Sequence, residues 1–299
     1  MVVEKPYQQS RLNIFLIIVM RNHKFFRSLL VCVLFVGVLA GCQREMIEEE
    51  IDVNSILLSK VESNTQMYIS SLEPSTLKKG KWWKILGADL KGALSGAATG
   101  AAIGSAAPGV GTGGGAIVGA VLGGAGASFE AAAGLADPGV TPPTSNPNNP
   151  YDPAGALHYS LLDVMIAFPG EFIQIGGFNY STYRNFILNR LVNNGLLSAN
   201  NIADFPLATF AAEQASFLGN GSPIAFVNQS NNPNLLPIEK SVSIQYFQAM
   251  SSSQSVSAFT NFSIGIENTV AASGIADRSK AVLLSEMATA RYGFAYWYQ

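Results

Sequence analysis

The fold of this chain is decided by residues 92–123, which read GALSGAATGAAIGSAAPGVGTGGGAIVGAVLG. Glycine recurs at every fourth position in two runs, first Gly92, Gly96, Gly100 and Gly104, and then Gly111, Gly115, Gly119 and Gly123. Residues four apart lie on the same face of an α-helix, so each run predicts a helix with one face free of side chains. Pro108-Gly109 between the runs predicts a turn. The stretch therefore predicts a helical hairpin, within residues 82–136, whose two glycine faces form a glycine zipper.

Glycine in a helix interior costs about 1 kcal/mol relative to alanine, so eight glycines must be offset by close packing. In membranes, small residues let helix backbones approach one another and supply that packing. Each predicted helix has about 20 residues, which is enough to cross a bilayer core. A flexible Gly/Ala linker is the alternative, but it does not explain the four-residue spacing. The hairpin therefore predicts membrane lipid, or a second copy of the chain, as its partner.

A short basic and aromatic stretch stands directly before the hairpin, namely Lys81, Trp82, Trp83 and Lys84. Tryptophan at the headgroup level and lysine toward anionic lipids are typical of a membrane interface. A basic turn with two core tryptophans is the alternative. Asp89 and Lys91 fall in the first turns of the helix, where an interfacial position tolerates charge. We therefore expect residues 81–84 to mark the membrane boundary.

The glycine pattern resembles the glycine-zipper hairpin of bacterial outer-membrane lipoproteins. It is also similar to the glycine-rich helices of two-peptide bacteriocins. Both resemblances imply membrane association or self-association, and neither implies an enzymatic activity. The second resemblance implies an alternative function, in which the helices oligomerise into a membrane-perturbing pore.

The sequence Leu39-Ala40-Gly41-Cys42 ends a short apolar run that follows a basic stretch containing Arg21 and Arg27. A basic region, an apolar run and a small-residue cleavage site define an export signal. A transmembrane helix, the alternative, needs about 20 apolar residues. We expect residues 1–41 to be a lipoprotein signal peptide, with Met20 as an alternative start, and Cys42 to carry the lipid. The chain's other cysteine, Cys32, lies within that leader.

The residues after Cys42 bear on its location in the cell envelope. Lipoproteins retained in the inner membrane of many Gram-negative bacteria resemble one another in having Asp after the cysteine, whereas this chain has Gln43. Because this chain lacks the Asp that those inner-membrane lipoproteins share, the comparison with them implies the outer membrane. The acidic cluster within residues 45–52 resembles the tract that sends lipoproteins of the Bacteroidota to the cell surface. A solvated tether without an address is the alternative.

Composition divides the rest of the chain into four segments. Residues 42–81 are a polar tether with a weak helical pattern, and residues 82–136 form the Gly/Ala-rich hairpin. Residues 137–151 are a Pro/Asn-rich linker without periodicity. Residues 152–299 have ordinary globular composition and helical periodicity, with few alternating strand patterns. The sequence therefore predicts an all-α fold that combines the hairpin with a C-terminal multi-helix domain.

Helix boundaries in the C-terminal domain are marked by capping residues. Asp152, followed by proline, predicts a helix start with Asp as its N-cap. Asn179 also predicts an N-cap, and Gly195 predicts the end of that helix. Pro237 predicts another start, and Asp277 is expected to cap the last helix. Several helices of ordinary length are thus expected.

Two stretches resemble uncharacterised lipoproteins of the Bacteroidota. Residues 155–163, GALHYSLLD, are similar to a G-x-x-H-N-x-x-L-D helix opening, although Tyr159 replaces the usual Asn. Residues 288–298, ATARYGFAYWY, are similar to an aromatic C-terminal helix of the same proteins. The resemblance implies no activity.

Chemistry-bearing residues are sparse. His158 and Asp163 form a tentative polar site, but no His/Asp/Glu cluster has the spacing of metal ligands, so we expect no metal and no cofactor. Acidic side chains outnumber basic ones from Asp152 onward, which disfavours nucleic-acid binding. The expected function is therefore that of a non-enzymatic, membrane-anchored lipoprotein whose helical domain binds an unknown protein partner. An enzyme acting through His158 is the less favoured alternative.

Overall fold

A computed structural model describes residues 53–73, 82–132, 141–174, 177–206, 208–209 and 223–298. These residues belong to one compact unit, Val53–Gln299, so the compositional boundaries at 81, 137 and 152 do not separate compact units. Helices dominate, and the strands described form a single two-stranded antiparallel sheet. The all-α prediction is therefore confirmed.

The helices follow one another along the whole described chain. In chain order the elements are α1 (53–71), α2 (Trp82–Ala106), α3 (Gly111–Ala132), α4 (Asp152–Ala167), α5 (Pro169–Phe172), β1 (Ile173–Gln174), β2 (Gly177–Phe178), α6 (Tyr180–Asn193), a 3₁₀ helix (Ala199–Asp204), α7 (Pro223–Gln229), α8 (Pro237–Ser252), α9 (Val256–Ala271) and α10 (Asp277–Trp297). In the small sheet, Ile173 pairs with Phe178 and Gln174 pairs with Gly177.

The predicted helix boundaries agree with the structure at some positions and differ at others. The Asn179 side chain caps α6 by accepting a hydrogen bond from the Thr182 backbone NH, and Gly195 follows the helix end with a φ of 69°. The prediction that Asp152 and Asp277 are N-caps is wrong, because the caps are Tyr151 and Ala276. Asp152 lies in the first turn instead, where its carboxylate binds partners outside its own helix.

The glycines of α2 and α3 face one another in antiparallel order. A Cβ atom placed on Gly96 would overlap the carbonyl oxygen of Gly119, and one placed on Gly100 would overlap that of Gly115. The same clash joins Gly92 with Gly123, so the two backbones touch along the length of the hairpin. Only glycine fits where backbones approach this closely. The turn between the helices uses Gly109, whose φ of 79° favours glycine.

Helix α10 runs through the middle of the fold. Every residue from Ala281 to Trp297 is buried, and the helix packs against α2, α3, α4, α8 and α9. Its contact with α4 is close, since a Cβ on Gly155 would overlap the ring of Tyr292. A helix buried on all sides is a core element. The aromatic C-terminal stretch of the sequence is therefore inside the protein.

The glycine hairpin is also enclosed by protein. Both of its helices pack against α10, and α4 covers α3. Among the described residues, α3 is the one helix long and apolar enough to cross a membrane, and 89% of its apolar window is buried inside the protein. Helix α2 has 25 residues but does not meet that criterion, because its amino-terminal half carries Lys84, Asp89 and Lys91. Within one chain, the glycine face of α2 packs against the glycine face of α3.

The segment predicted as a polar tether contains a docked helix. Leu57 and Val61 of α1 are buried in the main core. Tyr68 stacks on Phe262 at a centroid distance of 4.5 Å, and its hydroxyl lies 2.7 Å from the Ser253 hydroxyl. The weak helical pattern therefore reflects an amphipathic helix that packs on the domain.

Candidate functional site

A buried acid–histidine pair joins the hairpin to the surrounding helices. Asp89 of α2 and His158 of α4 are both fully buried, and Asp89 Oδ2 lies 3.1 Å from His158 Nε2. Asp89 is the one acidic residue in α2, which otherwise consists mainly of glycine, alanine and small polar residues. We refer to Asp89 and His158 as the dyad.

Two glycines make room for the dyad. A Cβ on Gly293 of α10 would overlap Asp89 Oδ2 and lie 3.4 Å from His158 Nε2. A Cβ on Gly124 of α3 would lie 2.9 Å from Asp89 Oδ1 and 2.9 Å from the Thr289 methyl group. Four helices therefore meet at the Asp89 carboxylate, and the missing side chains of two of them create the space that it occupies.

The dyad is only partly satisfied by hydrogen bonds. Asp89 Oδ1, His158 Nδ1 and Thr289 Oγ1 are buried and have no hydrogen-bond partner among the described residues. Removing an ionisable pair from water is costly, and attraction between the partners repays that cost only when their remaining polar atoms are also bonded. The intact dyad therefore adds little net stability, but loss of either partner would leave the other buried and unpaired, which is destabilising.

The dyad is not arranged as an active site. A general base must lie within hydrogen-bonding reach of a substrate proton, but both dyad side chains are sealed from solvent in this conformation. No group of three His, Cys, Asp or Glu residues within the described ranges could hold a metal ion. The arrangement can order helices against one another, and it offers no surface to a substrate.

The sequence predicted a polar site from His158 and Asp163, and the structure does not bring these residues together. Asp163 is half-buried on α4. Burial raises the pKa of Tyr159, and the nearby charge of Asp163 raises it further. His158 instead meets Asp89, which is 69 residues away in sequence. Asp89 and Lys91 had been expected at a lipid interface, but both lie inside the protein, and burial lowers the pKa of Lys91.

A second buried polar cluster surrounds Arg291 of α10. Its guanidinium bonds to Glu267 of α9 at 2.8 Å, to Asp152 of α4 and to the Thr144 carbonyl oxygen. Burial lowers the pKa of Arg291, but the two carboxylates outweigh burial and raise it. Because a guanidinium keeps its charge in proteins, Arg291 is a buried, permanently charged link between α4, α9 and α10.

The Pro/Asn-rich segment is bound to this Arg291 cluster. From residue 141 to 150 it contains turns but no helix or strand. Asn146 and Asn149 are buried, and their amide groups donate to Glu267 Oε2 at 2.9 and 3.0 Å. Asparagine is common in turns, where its side chain also bonds the backbone two residues on, as both do here. The segment is therefore anchored to the helical core.

A third buried group is the carboxyl of Glu286, also on α10. Its Oε2 accepts a hydrogen bond of 2.5 Å from the Ser243 hydroxyl of α8. Burial raises the pKa of Glu286 to about 8, and the nearby charge of Glu239 contributes. Glu239 itself accepts from Arg278 and Ser279. At neutral pH, Glu286 is therefore mostly a neutral acid inside the core.

The remaining predicted site residues lie at the edge of the described structure or beyond it. Cys42 and Lys81 lie outside the described residues. Trp82 and Trp83 begin α2, and Lys84 is exposed.

A groove of about 490 Å³ between α1 and the end of α9 was not predicted. Its lining includes Val53, Ile56 and Asn268. Periodicity in α1 was the one signal that could have indicated it.

Comparisons with known proteins found no match for this chain among family models, curated proteins or solved structures. Its function is therefore derived from its own residues.

Proposed function

We propose that this protein is a non-enzymatic lipoprotein of the outer membrane, anchored through Cys42, whose helical domain holds a membrane-insertable glycine hairpin as its core. The lipid attachment rests on the sequence Leu39-Ala40-Gly41-Cys42 behind its basic and apolar run. Three lipid chains on one cysteine make the attachment effectively permanent, because each buried methylene contributes about 0.8 kcal/mol.

The observation that carries the proposal is the self-contained packing of the hairpin. Its glycine faces are paired with each other, so α2 and α3 remain a unit whatever covers their outer faces. Those outer faces carry apolar side chains such as Leu90, Val121 and Phe129, which now contact the surrounding helices. Lipid chains are equally suitable neighbours for such side chains.

The length of the hairpin fits the same proposal. Helix α2 has 25 residues and α3 has 22, which at 1.5 Å per residue gives about 33–38 Å. The hydrocarbon core of a bilayer is about 30 Å thick. Because 89% of the apolar window of α3 is buried in protein, insertion requires α4 and α10 to separate from the hairpin first.

The buried chemistry supports a non-enzymatic role. The dyad and the Arg291 cluster are enclosed by helices, and their hydrogen bonds connect elements of the fold to one another. The groove beside α1 is a surface that a protein partner could occupy. The helical domain is thus proposed as an interaction module held near the membrane.

The anchor is tested by metabolic labelling with palmitate in the full chain and in Cys42→Ala. The wild type should be labelled in a globomycin-sensitive manner and should fractionate with the outer membrane, whereas Cys42→Ala should be unlabelled. A wild type that is soluble and unlabelled would overturn the anchor. Surface proteolysis of intact cells then distinguishes the two faces of the membrane.

Insertion is tested with the non-lipidated chain beginning at Gln43 and vesicles of mixed zwitterionic and anionic phospholipid. Protease protection of residues 82–132 in floated vesicles, without release of an encapsulated dye, supports insertion. Dye release supports the alternative of a bacteriocin-like pore formed by oligomerised hairpins. An absence of binding, also after mild destabilisation by urea, would restrict the hairpin to a structural role in the domain.

A further inference from the structure

The dyad is a fully buried acid–histidine contact in a hairpin whose residues are mainly glycine, alanine and apolar side chains. Helices built from glycine and alanine present few protruding side chains, so ridges-and-grooves packing does little to fix their rotation or register against a neighbour. A single buried polar contact fixes register where apolar packing does not, as a polar residue in a coiled-coil seam does. Asp89 is placed where it fills that role, at the junction of α2, α3, α4 and α10.

The fit of Asp89 to its surroundings is specific. Its Oδ2 atom occupies the position that a side chain on Gly293 would need, and it meets His158 from the neighbouring helix at 3.1 Å. The glycine and the histidine belong to α10 and α4, which are the helices that enclose the hairpin. The carboxylate therefore contacts both enclosing helices at one point.

From this geometry we propose that the dyad is the catch that holds the glycine hairpin inside the domain, and that breaking it releases the hairpin to a lipid bilayer. The second half rests on the proposed function. The first half concerns the folded protein alone and stands without it.

The two environments of the hairpin differ at its buried charged residues, Asp89 and Lys91. Inside the domain the carboxylate has His158 as its partner and a recess that accommodates it. In the hydrocarbon region of a bilayer a carboxylate without a partner is strongly unfavourable. Other residues of the hairpin's outer faces, such as Leu90 and Val121, are apolar and accept either environment. The dyad therefore favours protein over lipid as the environment of the hairpin.

The catch is tested with Asp89→Asn and His158→Leu in the chain beginning at Gln43. Asp89→Asn keeps the shape of the side chain and replaces its carboxyl group by an amide, whereas His158→Leu keeps the carboxyl group and removes its hydrogen-bond partner. Opening is measured by hydrogen exchange of the amides of α2 and α3 in the absence of lipid. Removing one member of a buried hydrogen-bonded pair should accelerate exchange by about 10- to 100-fold.

Two neutral controls separate a specific catch from general destabilisation. Asp163→Asn removes a half-buried carboxyl from the same helix as His158, and Glu286→Gln replaces a fully buried carboxyl elsewhere on α10 by an amide of similar shape. Neither should accelerate exchange in α2 and α3. Unchanged exchange in both dyad variants, or equal acceleration in the controls, would overturn the catch.

The catch is also tested from α10, with a substitution at the glycine that makes room for Asp89. Gly293→Ala should displace Asp89, because the new Cβ would overlap its Oδ2 atom. The matched control is Gly265→Ala on α9, where a Cβ meets open space. Faster exchange of α2 amides in Gly293→Ala alone supports the catch even if one dyad variant fails to fold. Equal exchange in the two variants contradicts it.

Vesicle flotation distinguishes the catch from insertion. Faster exchange together with a larger vesicle-bound fraction in the dyad variants supports both proposals. Faster exchange without vesicle binding keeps the catch and overturns insertion. Vesicle binding by the wild type, with unchanged exchange in the dyad variants, keeps insertion and overturns the catch.

Discussion

The glycine hairpin and the helices around α10 both contribute to the core, but they are held together in opposite ways. In the hairpin, backbone touches backbone, and side chains are absent from the contact. Around α10, helices are joined by buried side-chain bonds, including Arg291 with Glu267 and Glu286 with Ser243. Close backbone contact sets the separation of two helices, whereas directional polar bonds set which face of a helix meets which neighbour.

This difference predicts different responses to substitution. Where two backbones touch, any residue larger than glycine disrupts the contact, but a change of charge elsewhere does not. In a buried polar cluster, a substitution of similar volume can be accommodated, but the loss of one charged side chain leaves its partners buried and unpaired. The dyad lies where the two kinds of packing meet, since Asp89 belongs to the hairpin and His158 belongs to the surrounding helices.

The largest effect is expected in the polar region, for Arg291→Leu. Glu267 and Asp152 would remain buried without their counter-charge, and breaking a buried ion pair in this way costs about 3–5 kcal/mol. The free energy of unfolding is measured by urea denaturation followed by circular dichroism.

The matched control is Arg190→Leu, on the exposed side of α6 and stacked over the Phe186 ring. An exposed cation of this kind contributes about 0.5–1 kcal/mol. If the two variants lose equal stability, the Arg291 cluster does not organise the helices around α10.

Glu286→Gln should change how stability depends on pH. Burial raises the pKa of Glu286 from 4.5 to about 8, so the folded state retains a proton that the unfolded state loses. The stability contributed by this proton is complete below about pH 4.5 and is lost as pH rises toward 8, with a slope of at most about 1.4 kcal/mol per pH unit. The glutamine variant keeps the partner Ser243 and should lack this loss.

The measurement is a series of urea denaturations from pH 5 to pH 9 on both proteins. Burial also raises the pKa of Glu239, which is present in both proteins. The difference in stability between variant and wild type therefore reports the titration of Glu286 alone. Parallel pH profiles for the two proteins would mean that Glu286 is charged in the folded state.

In the hairpin, Gly96→Ala should reduce stability by about 1–3 kcal/mol. The added methyl group would overlap the Gly119 carbonyl oxygen. Because this oxygen is part of the backbone, it cannot turn away as the end of a flexible side chain could. Gly265→Ala is the control, because its Cβ meets open space and alanine favours the helix by up to about 1 kcal/mol. Thermal unfolding compares the two. Similar gains in both would show that the hairpin helices stand further apart than described.

The two regions also differed in how well the sequence predicted them. The four-residue glycine spacing predicted two helices with one face free of side chains, because residues four apart lie on the same face of a helix. The helical class followed from periodicity and from caps such as Asn179. These are local signals, and local signals are readable in a single sequence.

The polar contacts were not predictable because their partners are far apart in sequence. Asp89 meets His158 across 69 residues, and Asn146 meets Glu267 across 121. Asp152 was interpreted as an N-cap from its position before a proline, but Arg291, 139 residues away, competes for its carboxylate. The recess at Gly293 gave no local signal, since an isolated glycine in a helix has many explanations.

The smallest effect is expected for Tyr68→Phe, which tests how α1 is attached. The variant keeps the stack on Phe262 and loses the 2.7 Å hydrogen bond to Ser253, for a cost of about 1 kcal/mol. Trypsin should cleave at Lys60, an exposed residue of α1, faster in the variant than in Ser63→Ala, whose side chain is exposed. Equal cleavage would mean that the aromatic stack alone holds the helix. The docking of α1 thus depends on side-chain contacts, as in the helices around α10, and not on the close backbone contact that joins α2 to α3.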